Sequence, residues 1–563
     1  MGTEASLPSI DLLFADPQSS LRIHRAVAER ALVFGFSAGD TNRAFETLLE
    51  RACVPDSTFS DECFASDLFL REFVERCLPI YVNETRQTAN VAYLLRYLSA
   101  PPRQLDELRA RQRIMGELCD DAVPFRSRLE QLYTELCALR SLLSSGDYSA
   151  RIDPNQRRLD ILRSLQQCFL SLAQGFEHCQ SNLSRLHRYG QRVVTSEAYQ
   201  QLFRVLEFEA DIGTVDVRLK IGIDGNIRSL ALTELRENVD NPFHTSWLSR
   251  AWARFRFLLR GYRFSDQEVL NRLLYQVFEG IKGFIPPLLQ LIGDIEFYLA
   301  ALGLRDMATA RGLRMSCPEL SDTSVPIELQ QVWNPFLLAD GVDVVPCDVS
   351  AERNAMVILT GPNSGGKTRL MQSLAFCQLL AQSGLFVPAS SARLRFAGGL
   401  FVSMLQQVRA DETEGRLGTE LKRIRRLFEQ VNPGDLVILD ELCSGTNPSE
   451  GEEIFQLVLE LLAKLRPQVW ISTHFLKFAA ELQRNQRMPV LQFLRVALDE
   501  HEHPTYQFEP GVAATSLARQ TAARLGVTRE ELETLVQRAL RRSSARTPAR
   551  PPAASEATPP PTS

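Results

Sequence analysis

Three short segments in the second half of this 563-residue chain combine residue types that handle phosphate. The first is Gly361-Pro362-Asn363-Ser364-Gly365-Gly366-Lys367-Thr368, entered from the apolar run Met356–Thr360. Glycines at this spacing let backbone N–H groups turn toward phosphate oxygens at the start of a helix. Lys367 is then expected to reach the β- and γ-phosphates of ATP, and the Thr368 hydroxyl to ligate Mg2+. The second segment follows about seventy residues later, where the apolar run Leu436–Leu439 ends in Asp440-Glu441. Asp440 is read as a magnesium partner and Glu441 as the general base that orients and deprotonates water. The third is Val469–Ile471, which delivers Ser472-Thr473-His474, with His474 read as a γ-phosphate sensor. Together they predict a Mg2+-dependent ATPase site.

Such residues meet only if three strands end at one edge of a sheet, where α/β sheets bind ligands. From Met356 onward apolar strands alternate with amphipathic helices, which predicts an α/β domain with a largely parallel sheet. Residues 10–210 read mostly as helices, from apolar spacings of three and four as in "FLREFVERCLPIYV". Strict alternation at Val215, Val217, Leu219, Ile221 and Ile223, followed by Asp224-Gly225, predicts a β-hairpin interrupting them. The expected divisions are a helical N-terminal region (1–80), a helical core (81–210) and a hairpin with lever-like helices (211–320). An ATPase domain (321–510), a helical segment (511–543) and a disordered Pro/Ala/Thr-rich tail (544–563) complete the chain.

Composition narrows the remaining classes. Apolar residues are 45% and charged residues 23%, enough for sizeable cores, and the net charge of −5 makes any nucleic-acid surface a local patch. Eleven scattered cysteines without a C-x-x-C pair fit free thiols in a reducing cytoplasm, and the N-terminus lacks a signal-peptide pattern. The apolar stretch "FIPPLLQLIGDIEFYLAALGL" contains two prolines, Asp294 and Glu296, so a buried helix pair is expected there and no membrane span.

Several segments together resemble the MutS mismatch-repair ATPases. "LTGPNSGGKT" is similar to that family's TGPNMGGKS loop, including Asn363, and "LVILDELCSGTNPSEG" and "STHF" resemble its Walker B and histidine segments. Upstream, "VWNPFLL…VDVVPCDV" and "LLRYLSAPPRQLDELRARQRIMGEL" are similar to its domain-entry and core patterns, and "GVAATSLARQTAARLGVTREELETLVQRAL" to its C-terminal segment. The resemblance implies an ABC-type P-loop ATPase domain behind a mostly α-helical core and lever region with a small hairpin insertion. It also implies a homodimer with composite ATP sites that closes as a clamp on DNA, and repair proteins as possible partners. Ser444, Gly445 and Thr446 would cross toward the partner subunit.

The chain departs from the family in three ways. Its signature segment reads Gly415-Arg416-Leu417-Gly418-Thr419-Glu420 without Ser-Thr-Phe, two residues shorter than the family pattern. It shows no F-x-E wedge, with little room before the core for both N-terminal domains of a mismatch sensor. No Smr-type nuclease segment is seen after residue 541. Basic and aromatic residues alternate at 247–264, a candidate DNA contact or simply a solvated helix face. The alternative function is an ATP-driven dimeric switch acting on a protein partner. An ABC transporter subunit is disfavoured because LSGGQ is absent, and SMC-type proteins because the Walker segments leave no room for a long coiled coil.

Overall fold

Strands that are apolar along their whole length need cover on both faces, and the centre of the sheet shows this directly. The computed structural model describes residues 7–16, 21–39, 41, 43–120, 123–144, 154–211, 215–221, 227–235, 266–321, 326–404, 415–443, 447–485, 488–515 and 527–544. Its strands are β1 (Ile80–Val82), β2 (Thr85–Gln87), β3 (Val215–Ile221), β4 (Ile227–Leu235), β5 (Glu319–Ser321), β6 (Ile327–Val332) and β7 (Cys347–Ala351). They continue with β8 (Met356–Thr360), β9 (Ser391–Arg395), β10 (Leu400–Ser403), β11 (Leu436–Leu439), β12 (Gln468–Ser472), β13 (Leu491–Leu498) and β14 (Pro504–Pro510).

The main sheet has the order β10-β11-β12-β8-β13-β14, parallel throughout except for the antiparallel edge strand β14. Successive side chains point to opposite faces. Val357, Leu359, Ile438 and Trp470 join one core, with the helix Lys367–Gln382. Ile358, Val437, Leu439 and Ile471 join the other, with Phe455, Val458 and Leu462 of the helix Pro448–Leu465. A second sheet, β5-β9-β6-β7, lies beside this layer.

The helical region and the α/β region share a continuous core. Phe73, on the helix Leu70–Cys77, stacks on Phe376 of the helix Lys367–Gln382 with ring centroids 4.2 Å apart, and Phe336 meets both edge-on. Residues 10–210 are mostly helical as read, but the segment "FLREFVERCLPIYV" is not one helix. It ends at Cys77 and turns into the hairpin β1–β2, with Asn83 and Glu84 both in the left-handed region at φ 47° and 63°. The alternation at 215–221 forms β3, which pairs antiparallel with β4.

The expected helix pair at 284–304 is one helix, Pro286–Ala310. Its two prolines occupy the first turn, where no backbone N–H is needed, so they start the helix instead of breaking it. Asp294 and Glu296 do not interrupt it either, because each is buried with partners. Asp294 pairs with Arg22 and accepts from Leu12 N at 3.1 Å and from the Tyr93 hydroxyl. Glu296 accepts from Asn90 N at 2.8 Å and from the Tyr133 hydroxyl at 3.1 Å. This helix is long and apolar enough to cross a membrane, and its apolar stretch is buried inside the protein, with only the last turns reaching solvent. Residues 247–264, Ser444–Thr446 and the tail from 545 lie outside the described residues.

Candidate nucleotide site

Strand β8 runs directly into the loop Gly361–Thr368, and the helix Lys367–Gln382 starts at its end with Gly366 as N-cap. The loop curls through left-handed backbone at Gly361 (φ 145°), Ser364 (φ 68°) and Gly366 (φ 89°). Its glycines are required from outside as well. A Cβ on Gly361 would stand 2.6 Å from Val496 Cγ2 in the neighbouring β13, and one on Gly365 would stand 3.0 Å from the same atom. The wall behind the loop therefore fixes its residue types as firmly as its own turn does.

Lys367 is buried and donates to the carbonyls of Gly361 and Pro362, each at 3.0 Å. Burial pulls its pKa below the ordinary value, opposed by the nearby Glu441 and Asp440 carboxylates. Thr368 Oγ1 donates to Asp440 Oδ2 at 2.7 Å, so the loop hydroxyl and the β11 carboxylate already touch across 72 residues of sequence. A hydroxyl and a carboxylate so placed at a helix N-terminus fit Mg2+, whose other ligands are phosphate oxygens and water. Among the described residues no group of three His, Cys, Asp or Glu could hold a metal unaided.

Ser472 ties the Asp440 carboxylate to the backbone of Glu441. Its hydroxyl donates to Asp440 Oδ1 and accepts from Glu441 N at 2.8 Å, linking the ends of β11 and β12. Glu441 takes a left-handed φ of 47°, uncommon for a non-glycine residue, and faces the cavity. His474 follows the end of β12 but is exposed, with its ring against Phe475 at 4.3 Å, and it does not line the cavity.

The cavity encloses about 370 Å³, within the range of small-molecule sites. Asn363, Ser364, Gly365, Gly366, Lys367, Thr368 and Glu441 form its polar side. Gly361 and Pro362 turn their carbonyls to Lys367 behind it. The rest of its lining is mostly apolar and includes Trp333, Leu337, Val342, Val344, Tyr506 and Phe508. Asn334 joins the two sides. It caps the short helix Pro335–Ala339 by accepting from Phe336 N at 2.9 Å and donates to Arg369 O and Gln372 Oε1, each at 3.0 Å. Cys347 also lines the space, its thiol pushed up to about 12 by burial.

Sequence reasoning gave no role to Ser472, Tyr506 or the Trp333–Val344 wall. Ser472 stood in a quoted segment beside His474, and "VWNPFLL…VDVVP" carried a family signal without a chemical one. Tyr506 has no local motif. Only the antiparallel pairing of β14 with β13 brings it over the loop, where its ring lies 3.3 Å from a Cβ position on Gly366.

The profile of MutS domain V matches residues 357–541, which takes in the loop, β11 and β12. Three bacterial proteins called endonuclease MutS2 are similar. The one from Thermus thermophilus is 31% identical over 281 residues, covering 49% of this chain and 36% of the relative. The Thermomicrobium roseum protein is 28% identical over 303 residues, covering 51% and 36%. The Fusobacterium nucleatum protein is 26% identical over 265 residues, covering 46% and 33%. The chain spans about a third of the length of these relatives. The profile match takes in the phosphate loop, Glu441, Tyr506 and Phe508 of the cavity, and residues 357–541 are a domain V of the MutS family.

Proposed function

We propose that the chain is an ATPase of the MutS family that acts on DNA in repair or recombination. The observation that carries this reading is the hydrogen-bonded linkage of Thr368, Asp440, Ser472 and Glu441 N beside a cavity that Thr368 and Glu441 line together with apolar residues. The loop N–H groups and Lys367 would hold the phosphates, and the apolar wall with Tyr506 and Phe508 suits a base ring. Thr368 and Asp440 would hold Mg2+, which supplies neutralisation of the phosphate charge. Glu441 would accept a proton from water at the γ-phosphate side. His474 would turn inward as sensor, a movement its exposed position leaves room for.

In the same reading the working form is a homodimer that encloses DNA. The helix Arg529–Ser544 supports a partner, because Leu532, Leu535 and Val536 form an exposed apolar stripe at helical spacing. The test is binding of the full chain to duplex, mismatched and branched DNA, with and without Mg-ATP. Affinity that changes with ATP for at least one of these is expected. DNA binding indifferent to ATP, or absent, overturns the DNA part and leaves the ATP-driven protein switch.

A further inference from the structure

Arg111 is fully buried, yet among the described residues no carboxylate forms an ion pair with it. It belongs to the helix Leu105–Leu118. Its Nε donates to Leu13 O at 2.9 Å and its Nη1 to Ser383 O at 3.2 Å, while Nη2 has no hydrogen-bond partner. The guanidinium lies over the Phe297 ring at 5.5 Å. Burial lowers its pKa, so a cation is kept at a cost that an apolar side chain would avoid.

Its two acceptors belong to different parts of the molecule. Ser383 is the C-cap of the helix Lys367–Gln382, whose N-terminus carries the phosphate loop. A cation there faces the negative end of the helix dipole, with phosphate expected at the positive end. Leu13 belongs to the N-terminal segment Asp11–Ala15, whose backbone is also held by Arg185, through Asp11, Phe14 and Ala15 carbonyls, and by the Tyr298 hydroxyl on Leu12 O. Gly384 admits the arginine. It has φ 79°, and a Cβ on it would stand 2.6 Å from Arg111 Cβ and 3.0 Å from Leu108 O.

We infer that Arg111 is a positioning residue that ties the far end of the phosphate-loop helix to the segment Asp11–Ala15, so that occupancy of the nucleotide site is transmitted to the helical region. This rests on the nucleotide reading of the cavity. The same rigid, buried helix carries both contacts, so a shift of its N-terminus on binding phosphate moves Ser383 and the guanidinium together.

Hydrogen exchange on the full chain, with and without Mg-ATP, tests it at the Leu12 and Phe14 amides. In the parent, ATP is expected to slow their exchange about tenfold, an ordinary coupling between linked sites. In Arg111→Met the ratio falls below twofold, and Arg111→Lys restores part of it. A merely structural arginine would raise exchange equally in both states and leave the ratio intact. Gly384→Ala perturbs the contact from the other side and is expected to lose the ratio too. An unchanged ratio in a folded Arg111→Met overturns the inference, and so does one in Gly384→Ala should Arg111→Met not fold. A parent that binds ATP without altering these amides overturns the coupling alone. A parent that binds no ATP overturns the nucleotide reading beneath it.

Discussion

At the scale of single residues, each chemical group has a physical neighbour that makes its role testable. Lys367 is poised on two loop carbonyls that a phosphate would replace. Charge-assisted contacts contribute about 1.5–3 kcal/mol each, so Lys367→Ala is expected to weaken ATP binding roughly 10- to 100-fold, as read by equilibrium titration. Its pKa also sets a pH dependence. Burial lowers it in the free protein from the ordinary 10.5, whereas bound phosphate favours the ammonium. ATP affinity therefore falls as pH rises through that lowered value, and binding in this window takes up a proton. Calorimetry in two buffers of different ionisation enthalpy measures the uptake, and its absence in Lys367→Ala assigns it. Glu441→Gln is expected to bind ATP as the parent does and to hydrolyse it about 10²- to 10⁴-fold more slowly, the usual loss on removing a general base. Turnover at the parent rate would remove Glu441 from that role.

These residues were legible because phosphate chemistry fixes their types and spacing. Ser472 was harder to assign. Its task is to hold the Asp440 carboxylate and the Glu441 backbone amide through hydrogen bonds across adjacent strands, and pairing between β11 and β12 is not written in either segment. His474 was read from its place after a strand, and the structure puts it at that strand end but facing solvent.

At the scale of elements, the strands β8, β11 and β12 were readable from their apolar runs, because burial on both faces confines polar residues to the strand ends. The helix Pro286–Ala310 was misread for a related reason. Proline usually interrupts a helix and carboxylates resist burial, and here these costs are offset by a first-turn position and by buried partners far away in sequence. Arg22 is the main such partner, bonded to Asp11, Asp294 and Tyr97 and to Tyr93 at 2.8 Å. Asp294→Ala should therefore destabilise the protein by about 3–5 kcal/mol, the cost of breaking a buried ion pair from one side, seen as a lower denaturant midpoint. The phosphate loop makes a second prediction at this scale. Gly361→Ala places a methyl against Val496 at a φ that alanine avoids. It should reduce ATP affinity, and Val496→Ala in the same chain should recover part of the loss if the clash with β13 is the cause. A full loss that persists in the double variant would assign the effect to φ alone.

At the scale of the whole molecule, the stacking of Phe73 on Phe376 and the contacts of Arg111 leave no slack between the helical region and the nucleotide site. Composition could not show this, because a shared core looks the same as two separate ones in a list of apolar residues. The C-terminal helix Arg529–Ser544 is the opposite case, with its apolar stripe facing outward in a single copy. In the proposed homodimer a second copy would cover this stripe. The most direct measurement is the solution mass of full-length Glu441→Gln by sedimentation velocity, with and without Mg-ATP and with and without a branched DNA. The account predicts a monomer-to-dimer shift on adding Mg-ATP, strengthened by DNA. A protein that binds ATP and stays monomeric under all four conditions would contradict it.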